Sequence, residues 1–360
     1  MNSPKSRITI SALLLVAATL RLPAQSVVPT PLRGKEETGK DKSAIQLEDF
    51  VVTGVFTATA ATKATVAIST VDSKLLNMEV AASGIDALLN VPGVFVNSSL
   101  GEIRGMVYSR GISADSSDGS NGYYYVSMQE DGLPITNVNF GNFGPDYFLR
   151  VDATLKRVEA VRGGSASITA ANAPGGVFNY ISKNGGATSA GEVRTRYGLE
   201  GDWSPMYRGD INLGGPIGKS PWRYNIGGFY RVANGYRPPN GYPMNDGGTI
   251  RGNIFKEYGN GSIKLYAKYQ NDRNHWYEYQ LGLNPQDPKQ VPGLSRYSTN
   301  LHEKFSNVFP RESETNLETF DSTKKVHSQQ KVLGVDWNHE FSSGLAVTMQ
   351  LKKSHRLGTD

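Results

Sequence analysis

The second half of the chain repeats one pattern, in which apolar and polar side chains alternate strictly. In Glu192 to Leu199, EVRTRYGL, the charged residues face one way, and valine, threonine, tyrosine and leucine face the other. A period of two puts alternate residues on opposite faces of an extended strand. The same alternation occurs in YRGDINLG, WRYNIGGFYRV, IRGNIF, SIKLYAKYQ, LGVDWNHEF and LAVTMQLK. The pattern predicts long antiparallel strands, either in a soluble sandwich or in a membrane barrel.

The connections between these seven strands favour the barrel. In order they cover 201–206, 215–221, 233–249, 257–261, 272–330 and 342–344; apart from the first, long and tight connections alternate. Long loops at one end and tight turns at the other are typical of outer-membrane barrels. Aromatic residues near the predicted strand ends suit the girdles of such a barrel: Trp203, Tyr207, Trp222, Tyr236, Tyr258, Trp276 and Tyr277.

Seven strands leave the closure of the barrel unexplained. The last strand would end with an unpaired edge, which lipid does not tolerate. We therefore expect residues 191–360 to be the N-terminal portion of a transmembrane β-barrel that is incomplete, in a fragment or a truncated gene product.

The N-terminus has the pattern of a secretory signal. Lys5 and Arg7 precede an apolar run of 13 residues, and small Ala24 follows it. This run is shorter than the roughly 20 residues that a membrane-spanning helix needs. Residues 1–24 are therefore predicted to be a signal peptide for export. With no cysteine, the chain has neither disulfides nor thiolate metal sites, and a net charge of +5 argues against a nucleic-acid partner.

A polar arm and a short β-prone segment follow the signal. Residues 25–46 are rich in Pro, Lys, Glu, Gly and Thr, a composition that predicts a flexible arm. The arm ends at LEDFVVTG, whose Phe50, Val51, Val52 and Thr53 favour an extended conformation. Such a segment could pair with the sheet edge of another protein, or form the first strand of the next domain.

Residues 69–184 are predicted to form a compact α+β domain. Ser83 and Asp86 suit the start of a helix over Gly84 to Asn90, which Val91-Pro92-Gly93 ends. Short β-prone runs follow, and Asp131-Gly132 is a turn signal between two of them.

One glycine-rich stretch of this domain, RVEAVRGGSASITAANAPGGVFNYISK, resembles the late plug-domain motif of TonB-dependent outer-membrane receptors. Four further stretches resemble family features in the same order: LEDFVVTG the TonB box, IDALLNVPGV the first plug helix, IRGMVYSRGI the paired Arg-Gly strands, and EDGLPI the Asp-Gly turn. The resemblance covers Leu47 to about Gly218. In two places the chain departs from the family pattern, with Gly164 where proline is usual and Ile168-Thr169-Ala170 in place of Leu-Tyr-Gly.

The resemblance implies an α+β plug inside an antiparallel barrel of about 22 strands, and active import of a scarce ligand. TonB, an inner-membrane energy-transducing protein, would bind the box as an added strand and pull. The implied TonB-binding residues are Leu47, Glu48, Asp49, Phe50, Val51, Val52 and Thr53. The implied latch between plug and barrel is Arg104, Arg110, Glu159 and Arg162. The implied hinge is Gly163, Gly164, Pro174, Gly175 and Gly176, and the implied ligand contacts are Tyr123, Asn137 and Tyr147.

Plug carboxylates such as Glu102, Asp131 and Glu159 are expected to pair with cations on the polar face of the barrel strands. The candidate cations are Arg194, Arg196, Arg223 and Lys264. No nucleophile-elbow, phosphate-loop or metal-ligand motif is present in the sequence, so we expect no enzyme, cofactor or resident metal. The expected partners are TonB, outer-membrane lipid and a small ligand such as an iron–siderophore complex, cobalamin or a glycan. A passive porin or adhesin and a secreted carbohydrate-binding β-protein are the alternatives.

Overall fold

In the computed structural model, the described residues are 50–51, 53, 59–60, 67–79, 81, 83–115, 123–136, 144–163, 170, 173–239, 241–277, 282–284, 286–287, 289–293, 295–297, 307–313 and 315–359. The predicted signal peptide and arm lie outside them. Within these ranges, no helix is long and apolar enough to cross a membrane.

The described residues that precede Ala190 form an α+β unit, called here the N-terminal unit. Its one α-helix, α1, covers Ser73–Glu79, and short 3-10 helices cover Asp86–Leu88 and Pro145–Tyr147. Its strands are β1 (Phe50–Val51), β2 (Thr59–Ala60), β3 (Ile68–Asp72), β4 (Val94–Asn97), β5 (Met106–Ser109), β6 (Ile112–Asp115), β7 (Val126–Glu130), β8 (Leu133–Pro134), β9 (Leu155–Val161) and β10 (Gly176–Ser182).

The central sheet of the N-terminal unit has the order β3-β9-β10-β7-β8. Strands β10 and β7 run parallel, and the other neighbours are antiparallel. Ile85, Leu88, Val158 and Phe178 belong to the buried apolar core against this sheet. Strands β4, β5 and β6 form a second sheet, and β1 pairs with β2.

The segment after Ser83 is a single 3-10 turn and not the predicted α-helix over Gly84 to Asn90. Ser83 and Asp86 each accept a hydrogen bond from the other's main-chain N–H, as expected of a cap. The following N–H groups bond to carbonyls three residues back. Starting an α-helix is costly and is repaid only when further turns are added. Pro92 prevents those turns, so the segment stops after one 3-10 turn.

The second half forms a seven-stranded antiparallel sheet, called here the wall. Its order is that of the chain. The strands are β11 (Ala190–Glu200), β12 (Ser204–Pro216), β13 (Trp222–Ala233), β14 (Asn245–Tyr258), β15 (Gly261–Asn274), β20 (Val326–Glu340) and β21 (Ala346–Thr359). The seven predicted strands are thus confirmed, and most are longer than predicted. Two hairpins lie in the connection before β20: β16 (Gly282–Leu283) with β17 (Lys289–Gln290), and β18 (Asn307–Ser313) with β19 (Asn316–Phe320).

The wall has two distinct ends. Residues 217–221, 259–260 and 341–345 make short turns at the tight-turn end, whereas 234–244 and 275–325 are long connections at the opposite, long-loop end. The connection 201–203 at the long-loop end is short, as the sequence had indicated. Among the described residues, β11 and β21 are the edges of this open sheet. Apolar side chains such as Val193, Tyr230 and Leu351 are exposed on its outer face.

Candidate functional site

The polar inner face of the wall contacts the N-terminal unit through buried ion pairs at three levels. At the long-loop end, Arg231 on β13 donates to Glu102 (Nε to Oε1, 3.0 Å) and Asp272 (Nη1 to Oδ1, 2.6 Å). Arg150 of the N-terminal unit donates to the same Asp272 carboxylate at 2.8 Å, and Asn274 also accepts from Arg231. Asp272 and Arg150 are almost fully buried. Because buried charges need partners, this network fixes the two parts against each other.

The middle level centres on Glu130 at the end of β7. Its carboxylate accepts from Lys268 on β15 at 2.8 Å and from Arg251 on β14 at 3.2 Å. Arg251 also pairs with Asp152 at 3.3 Å. Burial raises the pKa of Glu130, but the charges of Lys268 and Arg251 outweigh burial and lower the pKa to about 2. Glu130 is therefore ionised and paired over the physiological range.

The level nearest the tight-turn end is built on Asp131, in the turn between β7 and β8. Its carboxylate lies 3.2 Å from the Lys264 amine and accepts from the main-chain N–H and the hydroxyl of Ser182. Burial raises the pKa of Asp131, and Lys264 and Ser182 together reverse this and lower it. Asp131 and Gly132 both have positive φ, 49° and 86°, as the Asp-Gly turn signal predicts. The expected pairing of Lys264 with Asp131 is present.

Three side chains of β21 bind the main chain of the same hairpin. Gln350 donates to the carbonyl of Asp131, and Lys352 donates to those of Leu133 and Pro134. Arg356 donates to the carbonyl of Ile135. The β7–β8 hairpin is thus held by side chains from β14, β15 and β21.

A different cluster holds Thr53, the last residue of the β-prone segment. Its N–H and hydroxyl both donate to one carboxylate oxygen of Glu159, at 2.9 and 2.7 Å. The Asn179 amide donates to the Thr53 hydroxyl at 3.0 Å, and its oxygen accepts from the Gly132 N–H at 2.9 Å. One side chain therefore connects Thr53 to the turn that the wall holds. Thr53 and Asn179 line a cavity of about 1310 Å³ at the tight-turn end.

Of the four implied latch residues, Arg104 contacts the long-loop end: its guanidinium lies 4.3 Å from the ring centre of Trp276. Arg110 is exposed beside Gly163. Arg162 donates to the Pro92 carbonyl and the Ser69 hydroxyl, both in the N-terminal unit. Glu159 accepts from Thr53 and from Arg157, again in the N-terminal unit. The carboxylate expected to pair with the wall therefore bonds to the box segment, because β9 is a central strand, covered by β3 and β10.

The described hinge glycines lie close to other parts of the N-terminal unit. Gly163 has φ 88°, and a Cβ there would lie 2.5 Å from the Arg110 guanidinium. Gly176 has φ 141°, and a Cβ there would lie 2.7 Å from the Val161 carbonyl. Gly175 donates its N–H to the Tyr125 carbonyl at 2.9 Å. These close approaches are all to residues of the N-terminal unit and not to the wall. Pro174 directly precedes Gly175 and Gly176, and Gly164 lies outside the described residues.

The implied ligand residues are enclosed. Tyr123 is buried and donates to the Gly105 carbonyl at 3.3 Å, and Tyr147 is buried with its carbonyl accepting from Gln270. Asn137 lies outside the described residues, as do Leu47, Glu48, Asp49 and Val52. Phe50 and Val51 form β1. A ligand could contact the two tyrosines only after their surroundings had moved.

The remaining wall cations have other partners. Arg194 donates to Asn77 on α1 and pairs with Glu192, and Arg223 pairs with Glu257 on the wall. Arg196 lies on the inner face of β11, opposite Arg208. Sequence reasoning missed Arg150, Glu130, Arg251, Lys268 and Asp272 as contact residues. Strand alternation in SIKLYAKYQ places Lys268 on the polar face with Lys264, but nothing local identifies its partner.

Two comparisons match this arrangement. The family described as "TonB-dependent Receptor Plug Domain" matches residues 60–177. The match covers 118 of the 360 residues, so it describes the N-terminal unit and not the whole chain. The N-terminal unit therefore has a plug fold, and the wall is an open antiparallel sheet of the barrel type that contacts it through the ion pairs described above. No curated protein matches the chain.

Solved structures show the same fold. The ferripyoverdine receptor of the outer membrane of Pseudomonas aeruginosa matches with a TM-score of 0.60 at 19% identity, over 85% of this chain and 36% of that one. The alcaligin outer membrane receptor of Bordetella pertussis matches with a TM-score of 0.54 at 14% identity, over 85% of this chain and 42% of that one. The ferric yersiniabactin uptake receptor of Yersinia pestis matches with a TM-score of 0.55 at 14% identity, over 81% of this chain and 41% of that one. The chain thus spans less than half the length of these proteins.

No group of three or more His, Asp or Glu side chains in the described ranges is arranged to hold a metal ion. The polar chemistry at the described contact between plug and wall is that of ion pairs and hydrogen bonds, which hold the two surfaces together.

Proposed function

We propose that this chain is the plug and the first part of the barrel of a receptor that imports a ligand across the outer membrane by a TonB-dependent mechanism. The plug-family match and the fold support this proposal. The observation that carries it is the position of Thr53. The end of the candidate TonB box lies at the tight-turn end, where a periplasmic protein could bind it if the long loops face outward.

The route of a pulling force follows from the contacts of Thr53. TonB would add a strand to Leu47–Thr53, because main-chain hydrogen bonds give affinity with little dependence on side chains. Force on the box would then act first on the bonds from Thr53 to Glu159 and Asn179. Asn179 would transmit it to Gly132, in the turn beside the Asp131–Lys264 pair. Glu159 in this account holds the box, while Glu130 and Asp131 hold the plug to the wall.

We further propose that the ligand is an iron–siderophore complex or a chelate of similar size. The support is the fold likeness to receptors whose names include ferripyoverdine, alcaligin and ferric yersiniabactin. The partners would be TonB on the periplasmic side and outer-membrane lipid around the exposed apolar face of the wall.

A disulfide experiment tests the proposal, since the chain has no cysteine of its own. Val51→Cys in the intact receptor is mixed with the periplasmic domain of TonB carrying single cysteines along one edge strand. We expect a disulfide at one register and at alternate positions from it, as strand addition requires. Ser220→Cys, in a tight turn of the wall, is the control and should give none. Equal disulfide formation by Val51→Cys and Ser220→Cys would refute the proposal.

A further inference from the structure

Basic side chains form a continuous row on the inner face of the wall. Lys264 and Lys268 lie on β15, and Arg251 on β14 is directly opposite Lys268. Through β20, Lys352 of β21 is at the level of Tyr266, and Arg356 is at the level of Gln270. Every inner-facing level from Lys264 to Arg356 thus contains a cation, with steps of about 7 Å along the strands. We call these five residues the cationic ladder.

The β7–β8 hairpin of the plug lies across this ladder. Glu130 and Asp131 pair with Lys268, Arg251 and Lys264, whereas Lys352 and Arg356 donate to main-chain carbonyls. Five cations therefore face two hairpin carboxylates. Outside the hairpin, Asp336 on β20 lies directly opposite Lys264, and Arg251 also pairs with Asp152. If the hairpin moved away, the other three ladder cations would lose the hairpin carboxylate or carbonyls that they contact, which is unfavourable at a largely buried surface.

Two cavities meet at the turn of the hairpin. A small one of about 30 Å³ is lined by Glu130, Arg251, Lys268 and Lys352, and has room for one or two waters. The cavity of about 1310 Å³ at the tight-turn end is lined in part by Lys264. Asp131 and Ser182 line both, so the Asp131 turn separates them. The hairpin turn is the partition between this small cavity, which lies between plug and wall, and the larger cavity at the tight-turn end.

We propose that an anionic cargo moves along the cationic ladder, on the inner face of the wall, as it crosses the membrane. In the closed state the Glu130 and Asp131 carboxylates occupy the ladder in its place. The inference rests on the proposed transport function and adds the charge of the cargo. Carboxylate, phosphate or anionic metal-chelate groups would replace the two carboxylates as partners of the same cations. Rows of Lys and Arg select anions in membrane pores for the same electrostatic reason.

The contacts also indicate how the ladder is uncovered. The Gly132 N–H, next to Asp131, bonds to Asn179, which bonds to Thr53. A pull on the box therefore reaches the hairpin turn through one amide side chain. Because β7 is itself paired with β10, displacing the whole hairpin would break that pairing, whereas displacing the turn at Asp131 and Gly132 would open the partition and leave β9 and β10 in place.

Ion selectivity of the opened receptor tests the proposal. The intact receptor is inserted in a planar lipid bilayer, its plug is displaced with urea, and the reversal potential is measured under a KCl gradient. We expect chloride to be preferred over potassium. The variant K264Q/K268Q/K352Q should lose this preference, while K264R/K268R/K352R should keep it. The control R194Q/R196Q/R223Q removes the same number of inner-face cations outside the ladder and should retain the chloride preference.

A potassium preference in the opened wild-type receptor would overturn the proposal, as would equal loss of chloride preference in the ladder variant and the control. This test does not involve TonB. Failure of the ladder would therefore leave the disulfide test of TonB pairing intact, and failure of TonB pairing would leave the measured selectivity unchanged.

Discussion

Thr53 donates two hydrogen bonds to a single carboxylate oxygen of Glu159, which lies 106 residues further along the chain. The carboxylate is fully buried, and Arg157 neutralises it at 2.6 Å. Because bonds to a buried charged acceptor are stronger than those to a neutral one, this contact is the strongest of those that the structure describes for Thr53.

Replacing Glu159 by glutamine should release the box. The neutral amide is a weaker acceptor and loses the Arg157 ion pair. We therefore expect the free energy that holds Thr53 against the plug to fall by about 1.5–3 kcal/mol. Hydrogen exchange of the segment around Thr53 should then accelerate by at least about tenfold. Glu79→Gln is the control, because Glu79 bonds to Asn90 away from the box. Unchanged exchange in the Glu159 variant would contradict the assigned role.

Arg231 should be the most sensitive residue of the plug–wall contact. Arg231→Met leaves Glu102 and Asp272 buried without this cation, which costs about 3–5 kcal/mol. The plug should become sensitive to protease at a lower temperature than in the wild type. Arg223→Met, which breaks the more exposed pair with Glu257, should cost about 0–1 kcal/mol. Similar protease sensitivity in the two variants would show that the buried network does not hold the plug.

Acid should weaken the hairpin contact through Glu130. Its usual pKa is 4.5, and in the folded protein the pKa is about 2. A lowered folded-state pKa stabilises the contact above pH 4.5, and this contribution is lost as the pH falls from 4.5 towards 2. The protection of residues 126–135 against hydrogen exchange, expressed relative to the intrinsic exchange rate at each pH, should therefore fall with acid in the wild type, and fall less in Glu130→Gln. Glu257→Gln is the control; an identical pH response in all three would contradict the role of Glu130.

Gly176 should tolerate no side chain. Its φ of 141° is unfavourable for any residue with a Cβ, and an alanine Cβ would lie only 2.7 Å from the Val161 carbonyl oxygen. We expect Gly176→Ala to lower plug stability by more than about 1 kcal/mol. Gly111→Ala is a matched control, because Gly111 also has positive φ, 85°, but no atom lies within 4 Å of its Cβ position. Thermal unfolding of both variants measures the difference, and equal losses would exclude the close approach as the cause.

The strands of the wall could be predicted from sequence because their signal is local. Alternation placed Arg231 and Lys264 on the polar face, and Asp131-Gly132 marked its own turn. Partners were harder to predict, because Glu102 and Arg231 are 129 residues apart and nothing near either residue identifies the other. Glu159 illustrates the same limit: its contact depends on β9 being a central strand, which follows from the sheet order and not from the residues of β9.

The proposed mechanism requires Val51 and its neighbours to pair with TonB as a strand. The direct measurement is the affinity of the purified TonB periplasmic domain for the intact receptor and for its Val51→Pro and Val51→Ala variants. Proline removes a main-chain N–H, whereas alanine keeps it. We predict that Val51→Pro loses binding and that Val51→Ala retains most of it. Equal affinity of Val51→Pro and the wild type would contradict the account.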